Sequence, residues 1–362
     1  MAKKNNLNSF FSDLKIVELS SVLAGPSVGL FFSELGASVL KIENKKTNGD
    51  VTRSWKLNSE NVEEPTSAYY WSVNTGKTSV FLDLSNPIEL TQVYDYLKSA
   101  DVVITNFKHG DDLKLKLDYK TIKKINPTII YASITGFGND TFRTAYDLIL
   151  QAESGFMFMN GEKQSLPLKM PVALIDVLAA HQLKEAVLIG LINKYKTNNG
   201  CNVSVSLFDT AIASLANQAT NWLIAHHLPQ ATGSLHPNIA PYGEIFTTKD
   251  KHLVTFAIGT NSQFENLLKI LKLNSISTDK LFSNNQARVI NRESLFIHLD
   301  EVIKKTKFEF LYQSCIKLDV PIGKIRNLKE VFELPMAQKL IKSTTYKKQK
   351  IQTVKSVFFE MN

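Results

Sequence analysis

Two cysteines in 362 residues, Cys201 and Cys315, are too few and too far apart for a disulfide framework or a cysteine-rich zinc site. Long apolar runs are missing as well: nothing approaches the ~18 residues that a membrane-spanning helix needs. The opening MAKKNNLNSFFSD is basic but lacks the apolar core of a secretory signal. A cytoplasmic, reducing address is therefore expected. The histidines make no ligand pattern: His226 and His227 are adjacent, His236 precedes a proline and His181 lies in a helical stretch, so no metal is expected. Neither a GxSxG nucleophile elbow nor a Walker loop occurs.

What is present is ordinary for a folded chain. Apolar residues at 44% and charged residues at 21% exclude wholesale disorder. At roughly 100–200 residues per domain, the length fits two domains, or one with an insertion. Lys and Arg number 42 against 34 Asp and Glu, a net charge of +8. A nucleic-acid-binding protein would gather these cations on one helix or stripe, with aromatics between them. Here they are dispersed, with pairs at Lys45-Lys46, Lys123-Lys124, Lys304-Lys305 and Lys347-Lys348 that read as solvated faces. A small polyanionic ligand is the other reading, and composition does not select it.

Along the chain, strand and helix patterns alternate. Leu14–Leu19 is a short β-rich run, Ser20–Ser27 a small-residue loop, Val28–Leu35 an apolar helical stretch closed by Gly36, and Ser38–Glu43 a second strand. Further strands are expected at Thr78–Leu84, Ala100–Asn106, Thr128–Ile134 and Cys201–Leu207, with helices at Pro87–Lys98, Tyr119–Asn126, Asp176–Lys196 and Asp209–His226. Repeated βαβ units imply a doubly wound parallel sheet. Pro229, Gly233, Pro237, Pro241 and Gly243 crowd the stretch 228–243 into a linker, after which Glu244–Thr247 and Leu253–Ile258 flank a turn. The tail Lys342–Lys355 is basic and polar, without a core pattern.

In an open α/β sheet, ligands sit beyond the carboxyl ends of the strands, which singles out the loop holding Leu23 and Ala24. Glu43 falls where a dinucleotide fold places its ribose acid, but the GxGxxG fingerprint is absent, which disfavours an NAD-dependent dehydrogenase. Asn106-Phe107-Lys108-His109-Gly110 follows another strand end, with Lys114 nearby. It is either a surface loop or a place for a phosphate and a stacked base. Asp176, at the start of a long helix, reads as a helix cap or, held ionised at the helix N-terminus, as a nucleophile.

Taken in order, these segments resemble the class III CoA-transferases, the CaiB/BaiF family. The likeness is carried by LKIVELSSVLAGPSVG, GASVLKIE, NTGKTSVFLDL, DVVITNF, SITGFG, AYDLILQAESG, the P-x-K-x-x-V-A-L-I-D segment ending in Asp176, TNNGCNVSVSLFD and HPNIAPYGEIFTTKD. It runs from about Leu14 to about Gln338. The resemblance implies a Rossmann-like doubly wound large domain over 1–225, a smaller α+β domain with its linker over 226–325, and a segment 326–362 returning to the large domain. It implies an interlocked homodimer and acyl-CoA as substrate rather than a tightly bound cofactor, with a small carboxylic acid as the other partner. Asp176 matches the family's catalytic aspartate, and Asp147 an acidic position that assists it. The CoA contacts carry over to Leu23, Ala24, Leu82, Asp83, Leu84, Ser85, Asn106, Phe107, Lys108, Lys114, Thr144, Ala145 and Tyr146. Asn44 replaces the usual basic residue after the Lys-Ile-Glu strand, leaving that phosphate contact to Lys45 or Lys46. Only Gly233 and Gly243 stand where formyl-CoA transferases carry a glycine run, which argues against oxalate or formyl specificity. The chain also ends without the Pro- and Gly-containing tail of many relatives.

The implied chemistry is an aspartyl mixed anhydride followed by an aspartyl-CoA thioester. Its rival within the fold is an α-methylacyl-CoA racemase, which uses a His just before an Asp. Tyr146 stands there, and its ordinary pKa of ~10 makes it a poor substitute. A non-catalytic basic binding protein is the rival from another class. The lack of an Arg-rich stripe speaks against it.

Overall fold

The protein was analysed as a computed structural model, which describes residues 7–347 and 349–361. Six strands, β1 (Lys15–Glu18), β2 (Ser38–Asn44), β3 (Thr78–Leu82), β4 (Val102–Thr105), β5 (Ile130–Thr135) and β6 (Cys201–Ser206), form one parallel sheet in the order β3-β2-β1-β4-β5-β6. This is the doubly wound arrangement, with its topological switch between β1 and β4. Adjacent residues on a strand point to opposite faces. Ile16, Val102 and Ile104 accordingly join a core with Val28, Phe32, Leu183 and Val187. Val17 and Val103 join the other face, with Val93, Leu97 and Ile122. Both faces are thus covered by helices, the usual condition of a parallel sheet.

The chain divides into two compact units. The first holds this sheet and takes the chain up to Met159, Pro167–Pro229 and the residues from Lys339 onward. The second comprises Asn160–Leu166 and Gln230–Gln338. It is built on an antiparallel sheet, β7 (Tyr242–Thr247), β8 (Leu253–Ala257) and β9 (Ile322–Lys324), backed by Phe246, Val254, Phe264, Leu268, Leu299 and Leu311.

One expectation is corrected. The single helix expected over Asp209–His226 is two, Leu207–Ala213 and Ala216–Leu223. The Ser214 N–H closes the first helix on Thr210 and Ala211, and Ala216, where the second begins, has a positive φ of 48° that breaks the right-handed run between them. The basic tail is a hairpin, β10 (Ile341–Tyr346) with β11 (Gln349–Val354). Its few apolar residues find partners: Ile351 is buried and the Tyr346 ring lies 4.9 Å from that of the distant Trp71. Beyond it, Glu34 accepts the Ser356 and Val357 N–H groups at 2.7 and 2.9 Å, fastening the chain end to helix α1 (Ala24–Glu34).

Charged residues lie inside the first unit at the end of β1. Glu18 is fully buried and pairs with Lys41 of β2 at 3.0 Å and with Lys77, just before β3, at 2.8 Å. Lys41 reaches on to Asp50 at 3.1 Å and to the Ser20 carbonyl at 2.7 Å. Burial alone would raise the Glu18 pKa, yet the two ammonium groups hold it below the usual range. Lys77 is pushed down by burial to about 8, even beside Glu18. Helix α1 packs directly onto this cluster because Gly25 and Gly29 carry no side chain. A Cβ on Gly29 would lie 1.9 Å from Glu18 Oε2, and one on Gly25 2.4 Å from Ser20. Since two lysines pin Glu18, it cannot yield. Gly29→Ala is expected to lose about 3 kcal/mol or more of stability, read as a lower urea midpoint with an unchanged slope.

Candidate active site

A cavity of about 400 Å³ opens at the carboxyl ends of β1, β4 and β5. Its wall combines Leu23 and Ala24 from the turn after β1, Asn106, Phe107 and Lys108 after β4, Thr144, Ala145 and Tyr146, and Asp176. Residues far apart in the sequence meet here because parallel strands deliver their carboxyl ends to one edge. Local sequence makes the approach close: Gly136 follows β5, and a Cβ there would fall 2.3 Å from Ala145 Cβ.

One carboxylate, Asp176, lies in this wall, and a second, Asp147, supports it. Helix α2 (Asp147–Glu153) begins with Asp147, and helix α3 (Leu174–Thr197) places Asp176 in its first turn. Reading Asp176 as the cap is corrected here. The helix starts two residues earlier, its N-cap Ala173 supplies no side-chain bond, and Asp147 takes over the duty by accepting the Ile175 N–H at 2.7 Å. The second Asp147 oxygen accepts from Gln151 at 2.6 Å, and Gln151 in turn accepts the Met170 N–H at 2.8 Å. Asp147 is thereby held at both oxygens. Asp176, only 8% exposed, accepts no hydrogen bond from a described residue. Burial, and then the charge of Asp147, push its carboxyl up to about 7.

The remaining sequence candidates separate. Asn106 is committed to the β1 turn: its amide accepts the Ser21 N–H at 3.0 Å and donates to the Ser21 carbonyl at 2.8 Å. Lys108 is exposed at the rim, beside His109, whose ring meets Phe142 edge-on at 4.6 Å. Lys45, Leu82, Asp83, Leu84 and Ser85 share the carboxyl edge of β2 and β3 but do not line the cavity. There Lys45 pairs with Glu89 at 3.0 Å and Lys46 with Asp83 at 3.0 Å. Lys114 is also outside the lining and pairs with Asp111 at 3.1 Å. Glu43, the candidate ribose acid, is taken by Arg53 at 2.7 and 2.6 Å and by the Tyr70 hydroxyl at 2.8 Å. Burial alone would raise its pKa, but the Arg53 guanidinium and the Asp50 N–H hold it down at about 2.

Four features escaped the sequence reading. Arg143 lines the cavity, with its guanidinium 4.0 Å from the Phe137 ring centre and bonded to Glu153 at 3.0 Å. Thr135, which also lines the cavity, has a buried hydroxyl without a hydrogen-bond partner among the described residues. Tyr69 is half-buried, and its phenol is raised first by burial and then by the charges of Asp176, Asp147 and Asp50. Val22 adopts φ +71°, which costs a β-branched residue about 1–2 kcal/mol. No spacing rule signals any of these, since each depends on which loops meet. Among the described residues, no three His, Cys, Asp or Glu side chains gather in a way that would hold a metal ion. No described helix is long and apolar enough to cross a membrane.

Comparison with known proteins defines the class. The family model described as CoA-transferase family III matches residues 11–361. A crystal structure of a CaiB/BaiF family protein from Brucella suis is similar with a TM-score of 0.82 and 35% identity, covering 98% of this chain and 92% of that one. The chain belongs to CoA-transferase family III and is an enzyme of that class. Among characterised relatives, the succinate–glutarate CoA-transferase of Agrobacterium fabrum is 37% identical over 334 residues, 90% of this chain and 82% of that protein. The human succinyl-CoA:glutarate CoA-transferase is 34% identical over 328 residues, 89% of this chain and 73% of the relative.

The raised carboxyl of Asp176 has a consequence for stability. Below about pH 4 it is protonated whether the chain is folded or not. As pH rises, the unfolded chain releases the proton first, so folding loses free energy until the native carboxyl ionises near 7. Asp176→Asn removes that loss. The variant is expected to exceed the parent by about 2 kcal/mol at pH 5 and about 4 kcal/mol at pH 8 in urea unfolding.

Proposed function

We propose that the protein moves CoA between small dicarboxylic acids, with Asp176 as the nucleophile and the sheet-bearing unit as the CoA-binding one. One observation carries the reading: a buried carboxylate that accepts no hydrogen bond from a described residue stands in a cavity wall beside a second carboxylate bonded at both oxygens. The succinate and glutarate named for the two relatives supply the acid class.

Ionised Asp176 attacks the thioester carbonyl of the donor, the C–S bond breaks, and CoA leaves as thiolate with a mixed anhydride on Asp176. The thiolate then attacks the Asp176 carbonyl of that anhydride, releasing the donor acid as carboxylate and forming an aspartyl-CoA thioester. The acceptor carboxylate attacks this thioester, and a second anhydride and thiolate form. Return of the thiolate to the acceptor carbonyl yields the new acyl-CoA and restores Asp176. Each step exchanges one activated acyl group for another, so no co-reactant is consumed. Asp147 holds the first turn of α3 in place and, by its charge, keeps the Asp176 carboxylate basic. Lys108 and Arg143 supply positive charge for the CoA phosphates, and Phe107 a face for its base.

With succinyl-CoA as donor and glutarate as acceptor, mass spectrometry of the products is expected to show glutaryl-CoA and free succinate. Asp176→Ala should lose at least about 10³-fold in rate while remaining folded. Hydroxylamine added during turnover should mark Asp176. Full activity in a folded Asp176→Ala variant removes the mechanism. Exchange of the α-proton with solvent deuterium, without acyl transfer, instead favours racemase chemistry.

A homodimer, interlocked as the family resemblance implies, is proposed alongside. It is supported by Ile189, Ile192 and Tyr195, which recur at helical spacing on α3 and are exposed. Light scattering is expected to give twice the chain mass, and charged residues at these three positions should reduce it.

A further inference from the structure

We infer that Asp50 is a positioning residue for the turn after β1: its buried carboxylate holds Val22 in the left-handed conformation that leaves the first amides of α1 free at the cavity. The inference rests on the reading of Asp176 as nucleophile but concerns a different part of the molecule.

The Val22 N–H donates to both Asp50 oxygens, at 3.3 and 3.2 Å. Immediately before it, both backbone groups of Ser21 are bound by the Asn106 amide. The chain reverses at Val22 with φ +71°, a region that a β-branched side chain avoids unless its surroundings impose it. Asp50 is equipped to impose it. Its side chain is 1% exposed, pairs with Lys41, and accepts the Thr52 N–H at 3.1 Å and the Thr52 hydroxyl at 2.8 Å. The Asp50 N–H donates to Glu43 at 2.8 Å, so the backbone beneath the carboxylate is fixed too. Asp50 is not part of the cavity wall and therefore acts through the turn rather than on substrate.

Downstream of Val22, the helix opens at Ala24 with Leu23 as N-cap, and Leu23 offers no side-chain cap. The N–H groups of Leu23, Ala24 and Gly25 donate to no described residue, as expected of a helix start that nothing caps. Leu23 and Ala24 belong to the same cavity wall as Asp176. When Asp176 attacks a thioester, negative charge develops on the carbonyl oxygen, and amides preorganised at the wall stabilise it without reorganisation. If Val22 relaxed to a negative φ, the plane of the peptide that follows would rotate, and those amides would turn with it.

The test uses the full chain with succinyl-CoA and glutarate, and a double-substitution cycle. Asp50→Asn is expected to lower kcat about 30- to 100-fold while KM for the acyl-CoA moves less than about threefold, the split expected of lost transition-state binding. Glycine adopts positive φ without a Cβ clash, so adding Val22→Gly to Asp50→Asn should recover at least about tenfold in kcat. A merely structural role for Asp50 predicts no such recovery. If Asp50→Asn does not fold, Thr52→Val removes one bond to the same carboxylate; it should cost roughly three- to tenfold, again recovered by Val22→Gly. A folded Asp50→Asn with unchanged kcat, or a loss in either background that Val22→Gly does not recover, overturns the inference. Hydroxylamine trapping in the parent separates it from the reading beneath it. Without a mark on Asp176 the nucleophile assignment falls, whereas a mark together with either overturning result removes only the role of Asp50.

Discussion

A carboxylate buried at the end of the central strand must be neutralised, and much of the first unit is arranged around that requirement. Glu18 sits at the last position of β1, where register sets it opposite Lys41 of β2. Lys77, immediately before β3, supplies the second cation. Lys41 is itself shared with Asp50, so the cluster alternates in sign and extends from the sheet to the loop after β2. An uncompensated charge at this depth would cost several kcal/mol. The loop after β2 and the start of β3 are therefore tied to the end of β1. Because Gly25 and Gly29 let α1 settle onto the same group, the first βα turn is held by charge below and by packing above.

That turn forms one wall of the cavity, and Asp176, supported from behind by Asp147, belongs to another. The two carboxylates differ in environment rather than in chemistry. Asp147 accepts two hydrogen bonds and caps a helix that its own segment does not contain. Asp176, in the first turn of that helix, receives none from a described residue and is driven toward the neutral form by burial and by its neighbour. A carboxylate that solvent and donors stabilise poorly is the more reactive toward an acyl carbon, and the same isolation makes the site a source of instability at high pH. For the proposed nucleophile, reactivity and the loss of stability at high pH share one cause, its burial without donors.

Much of the sheet was legible in the sequence, because parallel strands buried on both faces read as compact β-branched runs such as VVIT in β4, and helices between them as apolar periodicity. The Pro87–Lys98 helix appears with the bounds expected, since Asn86 and Pro87 mark its start unambiguously. Cys201–Ser206 and the antiparallel pair in the second unit were legible for similar reasons. Less was legible where the controlling interaction is distant. The break at Ala216 leaves the apolar pattern intact, and the hairpin Ile341–Val354 is polar because it gains its support from Trp71, some 270 positions earlier. In the site, Leu23, Ala24, Phe107, Lys108, Tyr146 and Asp176 were singled out because they follow strand ends or carry the family likeness. Tyr69, Arg143, Val22 and Asp50 were not, since their significance lies in what each faces.

The alternation of strands and helices, the absence of a glycine fingerprint and the candidacy of Asp176 are already written in the order of the residues. These are local matters of periodicity, composition and motif order, which a chain carries whether or not it is folded. Only the tertiary structure decided that Asp147 rather than Asp176 caps α3, and that Glu43, Lys45 and Lys114 are engaged by Arg53, Glu89 and Asp111. It also decided that Val22 is held in a conformation its side chain disfavours. Hydrogen bonds and ion pairs act over about 3 Å, and which groups come within that distance depends on how separate loops are brought together by the sheet.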